Sequence, residues 1–245
     1  QYTPTNFSSQ HLKLNDRLKA EVLLRAADQI GAYGKLCLVT SYQMGPPPYD
    51  SYGLDDDYAE EIGEVYSSSL SIEHWAEGSG VPGLNRVEFE EDNLITESKL
   101  DEDEPIEMES TGYMGNWGPD VEHWYHYGAV VIWSKQANAD LLPSQDKATK
   151  LNWIGHFNRQ KEISDPERAA VRSIILAGGN NGSFRDEYTT NDFEFLEWMM
   201  VFGEGDLLFQ MDPEVFKKNF TAIAPPYWMK LIKSMPLHKV GPMME

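Results

Sequence analysis

Two histidines lie three residues apart in the stretch DVEHWYHYGAVVIW, which runs from Asp120 to Trp133. His123 and His126 stand close to the carboxylates Asp120 and Glu122, and such groups can bind a metal ion or exchange protons. On a helix, residues three apart share a face, whereas on a strand they point to opposite faces. The aromatic and β-branched neighbours favour a strand, so we expect two separated histidines at the mouth of a sheet. A metal or acid–base site around them stays open as the alternative.

Motifs of the common catalytic sites are absent from the sequence at their usual spacing. No histidine has Asp or Glu two residues later, so the His-x-Asp/Glu element of the iron-binding facial triad is missing. Gly-x-Ser-x-Gly does not occur, and the glycine-rich run at 177–182 lacks the lysine of a phosphate-binding loop. We therefore assign no catalytic or cofactor-binding residue and retain His123 and His126 as candidate metal ligands.

The acidic residues are distributed unevenly along the chain of 245 residues, whose net charge is −20. Residues 50–109 contain 20 Asp and Glu against two basic residues, so they hold half of the 40 acids. Such a charge repels phosphate backbones and anionic lipids, which argues against nucleic acid and membrane surfaces as partners. We expect a solvated acidic face or a docking surface for a basic protein.

The cysteine content and the length of the apolar runs bear on where in the cell the protein is expected. The single cysteine, Cys37, excludes an internal disulfide and a thiolate zinc site, and its apolar neighbours predict a buried, inert thiol. The longest apolar run, 129–133, is far shorter than the roughly 18 residues of a membrane helix. We expect an intracellular, cytoplasmic protein with no membrane partner. Whether the chain, which begins at Gln1, is a piece of a longer protein stays open, as does the use of three glycosylation-like sequons.

The first half of the chain predicts a helix followed by a small sheet. Asn15 or Asp16 can cap the helix, and Gly31 ends it. Its apolar stripe has four-residue spacing, typical of a face that packs on a core; the stripe comprises Leu18, Val22, Ala26 and Ile30, widened by Leu23 and Ala27. Strands are predicted at 35–42, 65–75, 106–111 and 127–133, and a further short strand is considered at 87–89, which gives at most five. Because the last of these is apolar throughout, we place it centrally in the sheet with both faces covered.

The second half predicts helices. Ser164 to Glu167 form a capping box with Pro in the first turn, and Gly178 ends this helix. Further helices are predicted at 190–203, 212–225 and 227–233. The expected fold is α+β (or α/β), a small, mostly buried sheet with a flanking helix, followed by an all-helical C-terminal part. Residues 1–14 are expected to be flexible, 15–140 to form the sheet-containing domain with acidic loops, and 141–245 the helical domain or extension.

Three motifs, in order, resemble a segment of large 2-oxoglutarate/iron(II) oxygenase-like (prolyl 4-hydroxylase-like) proteins. They are TGYMGN at 111–116, WYH at 124–126 and AVVIW at 129–133, with Gly112, Gly115, Asn116, Trp124, Tyr125, His126 and Trp133 as the signature residues. In that family the segment lies C-terminal to the catalytic barrel, and the resemblance covers roughly residues 15–135. The chain departs from the family pattern at Trp117, where an acidic residue is usual, at Tyr127 (usually Arg) and at Ser134 (usually Pro).

The resemblance implies a parent protein that hydroxylates a protein or a small substrate with Fe(II) and 2-oxoglutarate. Those cofactors would belong to an upstream catalytic domain, and none is implied for this chain. The leading hypothesis is a non-catalytic accessory or interaction region whose partner is a protein. Two alternatives stay open: an enzyme with a metal or acid–base site around His123 and His126, and a structural subunit of a larger assembly. The sequence leaves open the partner, the parent's substrate, the oligomeric state and whether the chain is an enzyme.

Overall fold

A computed structural model describes residues 10, 12–45, 67–76, 80–85, 87, 89, 93–95, 107–110, 121–180, 193–210, 229, 230 and 233. The helices are α1 (Leu14–Gln29), α2 (Lys135–Leu141), α3 (Lys147–Gln160), α4 (Asp165–Asn180) and α5 (Phe193–Phe202). The strands are β1 (Tyr33–Gly45), β2 (Ser67–Trp75), β3 (Glu107–Ser110) and β4 (Val121–Trp133). Two 3-10 turns follow α2 and α5. The predicted helices at 212–225 and 227–233 lie wholly or largely outside the described residues.

The fold is mixed α+β, as predicted. The four strands form one sheet in the order β2-β1-β4-β3, and the β1–β2 and β3–β4 pairs are antiparallel. Val39 lies opposite Ile72 while Leu38 lies opposite His74, so β2 carries a bulge at Glu73. The four strands overlap four of the predicted segments, because alternating and continuous apolar runs are the residue patterns that strands bury. Val87 and Phe89 belong to no strand, so the short strand considered at 87–89 was wrong.

Strand β4 occupies the predicted inner position of the sheet, but its cover is incomplete. Tyr125 and Trp133 are buried, whereas Ile132 is 42% exposed. The most buried strand is instead β1, where every residue from Lys35 to Ser41 is buried. The expectation that both faces of β4 are fully covered was therefore wrong.

Helix α1 forms where predicted, but it turns a different face to its core. Ala20 is buried against Leu36, Leu38 and Ala76, and Ala27 is also buried. Most of the predicted stripe faces outward: Leu18, Val22, Leu23 and Ile30 are 51%, 61%, 47% and 78% exposed, and of its six residues Ala27 alone is buried. The small Ala20 side chain allows the helix backbone to approach the sheet closely, which a Leu at this position would prevent.

Capping residues account for the helix limits in the second half of the chain. Ser134 Oγ accepts a hydrogen bond from the amide of Ala137 at the start of α2, and Asp146 does the same for Thr149 at the start of α3. Helix α3 ends at Gln160, and the C-cap residue Lys161 adopts the left-handed conformation at φ 55°. Gly203, at φ 68°, follows α5 at the predicted stop.

The chain divides into two compact units. The first comprises residues 1–25, 34–79 and 86–131, and the second comprises 26–33, 80–85 and 132–245. The second unit thus takes in two short segments from the first half of the sequence. The domain division at residues 14 and 140 stays a prediction. None of the described helices is long and apolar enough to cross a membrane.

Candidate interaction surface and buried polar clusters

An exposed apolar ridge runs along α1 within the first compact unit. Leu14, Leu18 and Val22 follow one another at four-residue spacing and are 71%, 51% and 61% exposed, and Leu23 beside them is 47% exposed. Because a helix turns by roughly 100° per residue, side chains four apart lie next to one another on the same side. We call these four residues, together with Lys19 and Arg25, the α1 patch.

Charged side chains of both signs stand beside the apolar ridge of the α1 patch. Lys19 and Arg25 stand three residues before and after Val22, so they flank the apolar ridge on its two sides. Their side chains are 77% and 75% exposed. Asp16 is 3.7 Å from Lys19, and Glu21, which stands three residues after Leu18 and therefore also lies beside the ridge, is 3.4 Å from Arg17 and 4.0 Å from Arg25. The patch therefore combines apolar side chains with two accessible cations.

The structure places both candidate histidines in β4. His123 lies opposite Met108 of β3, and its ring is 6.3 Å from that of Tyr125 on the same face. His126, three residues further along the strand, belongs to the opposite face because strand side chains alternate. The predicted separation of the two imidazoles thus follows from the observed strand. Within the described part of the chain, no group of three or more His, Cys, Asp or Glu is placed to hold a metal ion.

The signature residues that the structure describes also lie on β4. Trp124 packs on Tyr42 of β1 with ring centroids 5.6 Å apart, and Tyr125 is 6% exposed. Trp133 is buried at the end of the strand. Gly112, Gly115 and Asn116 lie outside the described residues, so their part of the motif has no structural account.

A buried carboxylate organises the second compact unit. Glu167 is 0% exposed, and its Oε1 accepts hydrogen bonds from Tyr33 Oη at 2.8 Å and Asn138 Nδ2 at 2.9 Å. Its Oε2 accepts from the Ser164 amide at 3.2 Å and from Ser164 Oγ at 2.6 Å. The indole of Trp133 donates in turn to Asn138 Oδ1 at 3.3 Å. Glu167 is thus the predicted capping-box residue of α4, and it also joins three separate chain segments.

The titration behaviour of Tyr33 follows from this environment. Burial, and next the hydrogen bond to Glu167, raise the pKa of the Tyr33 phenol far above its usual value. The phenol therefore stays protonated and acts as a hydrogen-bond donor. Burial likewise raises the pKa of the Cys37 thiol to about 12, so this side chain is a thiol at neutral pH. The inert cysteine predicted from the sequence agrees with this shift.

Aromatic rings pack around Tyr33 in the same unit. Trp153 is fully buried and makes edge contacts with Tyr33 at 4.9 Å, His156 at 5.5 Å and Trp133 at 6.3 Å. Phe157 adds a tilted contact at 5.7 Å. Edge-to-face pairs of this kind stabilise by about 0.5–1.5 kcal/mol beyond their buried area. The rings form a buried aromatic cluster centred on Trp153.

Polar side chains of α3 and of its N-cap contact the segment 80–85 within the second unit. Trp153 Nε1 donates to the carbonyl of Gly83 at 3.0 Å, and His156 Nδ1 lies 3.0 Å from the carbonyl of Gly80. Because a carbonyl only accepts, His156 Nδ1 carries the hydrogen. Asn85 Nδ2 donates to Asp146 Oδ2 and to Thr149 Oγ1, the latter at 2.9 Å. The polar groups of Trp153, His156 and Thr149 thus form hydrogen bonds that hold the segment 80–85 in place.

The second buried carboxylate belongs to Glu204. It accepts from Arg168 at 3.3 Å and from Arg172, two cations one turn apart on α4. The Arg168 guanidinium also lies over the Phe202 ring, 5.5 Å from its centroid. Two cations share one acid, which compensates the cost of burying the carboxylate.

We expect replacement of Asp146 by Ala to lower the free energy of unfolding by about 1 kcal/mol, because α3 loses its N-cap. The Thr149 amide, and next the Asn85 side chain, lower the pKa of Asp146 below its ordinary value. A depressed folded-state pKa contributes stability above the unfolded-state value, and this is lost as the pH falls through the folded-state pKa. The Asp146→Asn variant can cap without a charge, so its stability should approach that of the native chain as the pH is lowered from about 5 to about 2.

Urea unfolding across this pH range measures both effects of the Asp146 substitutions. Asp140→Asn provides the control, because Asp140 is an exposed acid on α2 that accepts from Gln136 at 2.9 Å. A difference between the native chain and Asp146→Asn that does not change with pH would contradict the expected titration.

Sequence reasoning missed several of these residues. The caps Ser134 and Asp146 were detectable, since each precedes a helical segment by one residue. Tyr33 and Asn138 carried no such signal, because their partner Glu167 is 134 residues from Tyr33 and 29 from Asn138. No protein-family model, curated protein or solved structure matches the chain.

Proposed function

We propose that this chain is a non-catalytic protein-interaction region and that the α1 patch is its contact surface. The observation that carries the proposal is the concentration of exposed apolar side chains on one helix. Leu14, Leu18, Val22 and Leu23 are each 47% exposed or more and lie within ten residues. Contiguous exposed apolar side chains next to charged residues are typical of surfaces that a partner covers.

The buried ionisable side chains support a structural role for the rest of the described chain. Glu167 accepts four hydrogen bonds, Glu204 is shared by two arginines, and Tyr33 and Cys37 hold their protons at neutral pH. Catalytic acids, bases and nucleophiles need a pKa near the working pH and access to a substrate. These four side chains are instead buried or held by hydrogen bonds and ion pairs, as is typical of residues that stabilise a fold.

The relation to oxygenase-like proteins is part of the same proposal and rests on the sequence motifs between Gly112 and Trp133. The chain is proposed to be an accessory region C-terminal to a catalytic barrel, and the partner of the α1 patch is a protein. Its single cysteine favours a reducing compartment, and we propose the cytoplasm.

A photo-crosslinking amino acid at position 22 tests the contact surface. We expect a discrete crosslinked protein in extracts of cells that express the chain, and we expect Leu18→Glu to abolish it because a charge enters the apolar ridge. The same crosslinker at Ser173, an exposed position of α4, provides the control. Equal crosslinking at both positions, or persistence in Leu18→Glu, would contradict the proposed surface.

Metal analysis and 2-oxoglutarate turnover test the non-catalytic part of the proposal. The purified chain is incubated with Fe(II), ascorbate and 2-oxoglutarate, and succinate is measured. We expect no succinate above that formed without protein. Stoichiometric iron with turnover would establish an enzyme instead, and His123→Ala and His126→Ala would then show whether these histidines take part.

A further inference from the structure

We propose that Tyr33 is a redox site, which traps one-electron oxidising equivalents that reach the aromatic cluster around Trp153, with Glu167 as the acceptor of its phenolic proton. This inference goes beyond the proposed interaction function and does not depend on the α1 patch. It rests on two observations within the second compact unit. The Tyr33 ring contacts two indoles, and its hydroxyl donates a hydrogen bond to a buried carboxylate.

The rings of this cluster are close enough for an electron to pass directly from one to the next. The Trp153 ring centroid lies 4.9 Å from that of Tyr33 and 6.3 Å from that of Trp133, and the centroids of Tyr33 and Trp133 are 5.8 Å apart. Indoles and phenols are among the side chains that give up a single electron most readily. An electron removed from either indole can therefore be replaced from Tyr33.

The hydrogen-bond acceptors decide which ring remains oxidised. Loss of an electron turns an indole or a phenol into an acidic cation, which becomes a neutral radical when a base takes its proton. Trp153 Nε1 donates to a backbone carbonyl at 3.0 Å and Trp133 Nε1 to a side-chain amide oxygen at 3.3 Å, and neither acceptor is a base at neutral pH. Tyr33 Oη instead donates to Glu167 Oε1 at 2.8 Å. The carboxylate can take the proton, so the oxidation ends at Tyr33.

Burial strengthens this preference. Glu167 is 0% exposed, and an ionised carboxylate is costly to bury even when it is hydrogen-bonded. When Tyr33 loses an electron and passes its proton to Glu167, both side chains become neutral. An oxidised Trp153, which is also fully buried, would instead be a cation removed from water.

The proton of Tyr33 moves only when its electron leaves. Burial, and next the hydrogen bond to Glu167, raise the pKa of the phenol, so the resting side chain holds its proton. Oxidation reverses this order of acidity, because a phenol that has lost an electron is a far stronger acid than a carboxylic acid. The hydrogen bond is already in place, so the transfer requires no movement of either side chain.

The proposed reaction moves one electron and one proton. A one-electron oxidant takes an electron from Trp153 and leaves its radical cation. Tyr33 gives an electron to this cation, which restores Trp153, while the phenolic O–H bond breaks and the proton passes to Glu167 Oε1. The products are a neutral tyrosyl radical and a protonated carboxyl group. A one-electron reductant such as ascorbate then supplies an electron, Glu167 returns the proton, and Tyr33 is restored.

A photo-oxidant attached beside Trp153 tests the proposal on the full chain. Asn152→Cys supplies an exposed thiol on α3 for a ruthenium polypyridyl label, and the native Cys37 is 0% exposed and stays unlabelled. A light flash with a cobalt(III) ammine, which takes an electron from the excited label, leaves ruthenium(III) as the oxidant. Transient absorption should show the tryptophanyl signal giving way to a tyrosyl signal. The change should be slower after exchange into D2O, because a proton moves with the electron.

Two substitutions in the labelled chain separate the roles of the phenol and the carboxylate. Tyr33→Phe keeps the ring and removes the O–H group. The tyrosyl signal should fall several-fold, the tryptophanyl radical should persist several-fold longer, and peptide mass spectrometry should find more oxidised Trp153. Glu167→Gln keeps an oxygen acceptor and removes the base, so it should also prolong the tryptophanyl signal although Tyr33 is present.

Tyr42→Phe provides the control, because Tyr42 makes a comparable ring contact with Trp124, at 5.6 Å, in the first compact unit. It should behave like the labelled chain without further substitution. Circular dichroism checks that each variant is folded, and the comparison of H2O with D2O tests the proton transfer without any substitution in the cluster. An unchanged tryptophanyl lifetime in Tyr33→Phe, an equally fast tyrosyl signal in Glu167→Gln, or equal rates in the two solvents would overturn the proposal.

Discussion

Replacing Glu167 by Ala is expected to lower the free energy of unfolding by about 3–5 kcal/mol, the largest effect of any single carboxylate that the structure describes. The carboxylate is 0% exposed and accepts hydrogen bonds from Tyr33, Asn138 and Ser164. Truncation leaves the buried Asn138 and the half-buried Tyr33 and Ser164 without their acceptor, and a buried donor without a partner costs about 1–3 kcal/mol. Urea unfolding followed by tryptophan fluorescence and by circular dichroism measures the loss.

A double-mutant cycle separates the contribution of the phenol from that of the other donors. Tyr33→Phe keeps the ring contacts with Trp153 and removes the hydroxyl, so we expect it to cost about 1–3 kcal/mol. In the Glu167→Ala background the same change should cost clearly less, because the acceptor is already gone. Additive effects of the two substitutions would show that this hydrogen bond contributes nothing to stability.

The phenol also predicts a dependence of stability on alkaline pH. The folded-state pKa of Tyr33 is raised, so its contribution is complete below the ordinary pKa of about 10 and is lost as the pH rises through the folded-state value. Tyr33→Phe should remove this component. The control is Asp140→Ala, since Asp140 is an exposed acid of α2 that accepts from Gln136 at 2.9 Å, and its loss should change stability by less than about 0.5 kcal/mol.

Replacing Trp153 by Ala is expected to lower the free energy of unfolding by about 3–5 kcal/mol, for a different reason. The side chain is fully buried and contacts four rings, so its removal leaves a cavity lined by rigid aromatic groups. It also removes the hydrogen bond from the indole to the Gly83 carbonyl. We expect faster hydrogen exchange in residues 80–85 as well as lower stability in urea.

Trp153→Phe distinguishes the two contributions of this side chain. Phe retains an aromatic ring in the cluster and lacks the indole donor, so the cost should fall to about 1–3 kcal/mol. The increase in hydrogen exchange at 80–85 should remain, because the bond to Gly83 is lost in both variants. Unchanged exchange in Trp153→Phe would show that ring packing, and not the hydrogen bond, holds this segment.

Local signals were sufficient to place most elements along the chain. The capping box at Ser164, Gly31 after α1 and Gly203 after α5 mark limits that the structure reproduces within a few residues. These signals work because a cap or a left-handed glycine concerns the hydrogen bonds of one helix end and needs no distant partner. The α+β class and the inner position of β4 followed from apolar patterns of the same local kind.

The orientation of α1 was not available from its sequence. The helix carries apolar residues on both sides, large ones at Leu18 and Val22 and small ones at Ala20 and Ala27. Because large apolar side chains bury more surface than alanine, the sequence pattern predicts that the face with Leu18 and Val22 is buried. The structure buries Ala20 instead, because the contact with Leu36, Leu38 and Ala76 allows a close approach.

The sequence by itself predicted α1, α4, α5 and the four strands, and with β4 the separation of His123 from His126 on alternate faces of a strand, whereas α2 and α3 were not predicted. The tertiary structure decided which side of α1 is exposed and which distant donors meet at Glu167. The physical reason is the sequence separation of the residues that interact. Caps and strand alternation depend on residues within a few positions, whereas Tyr33 and Glu167 are joined across 134 positions by the packing of the whole second unit.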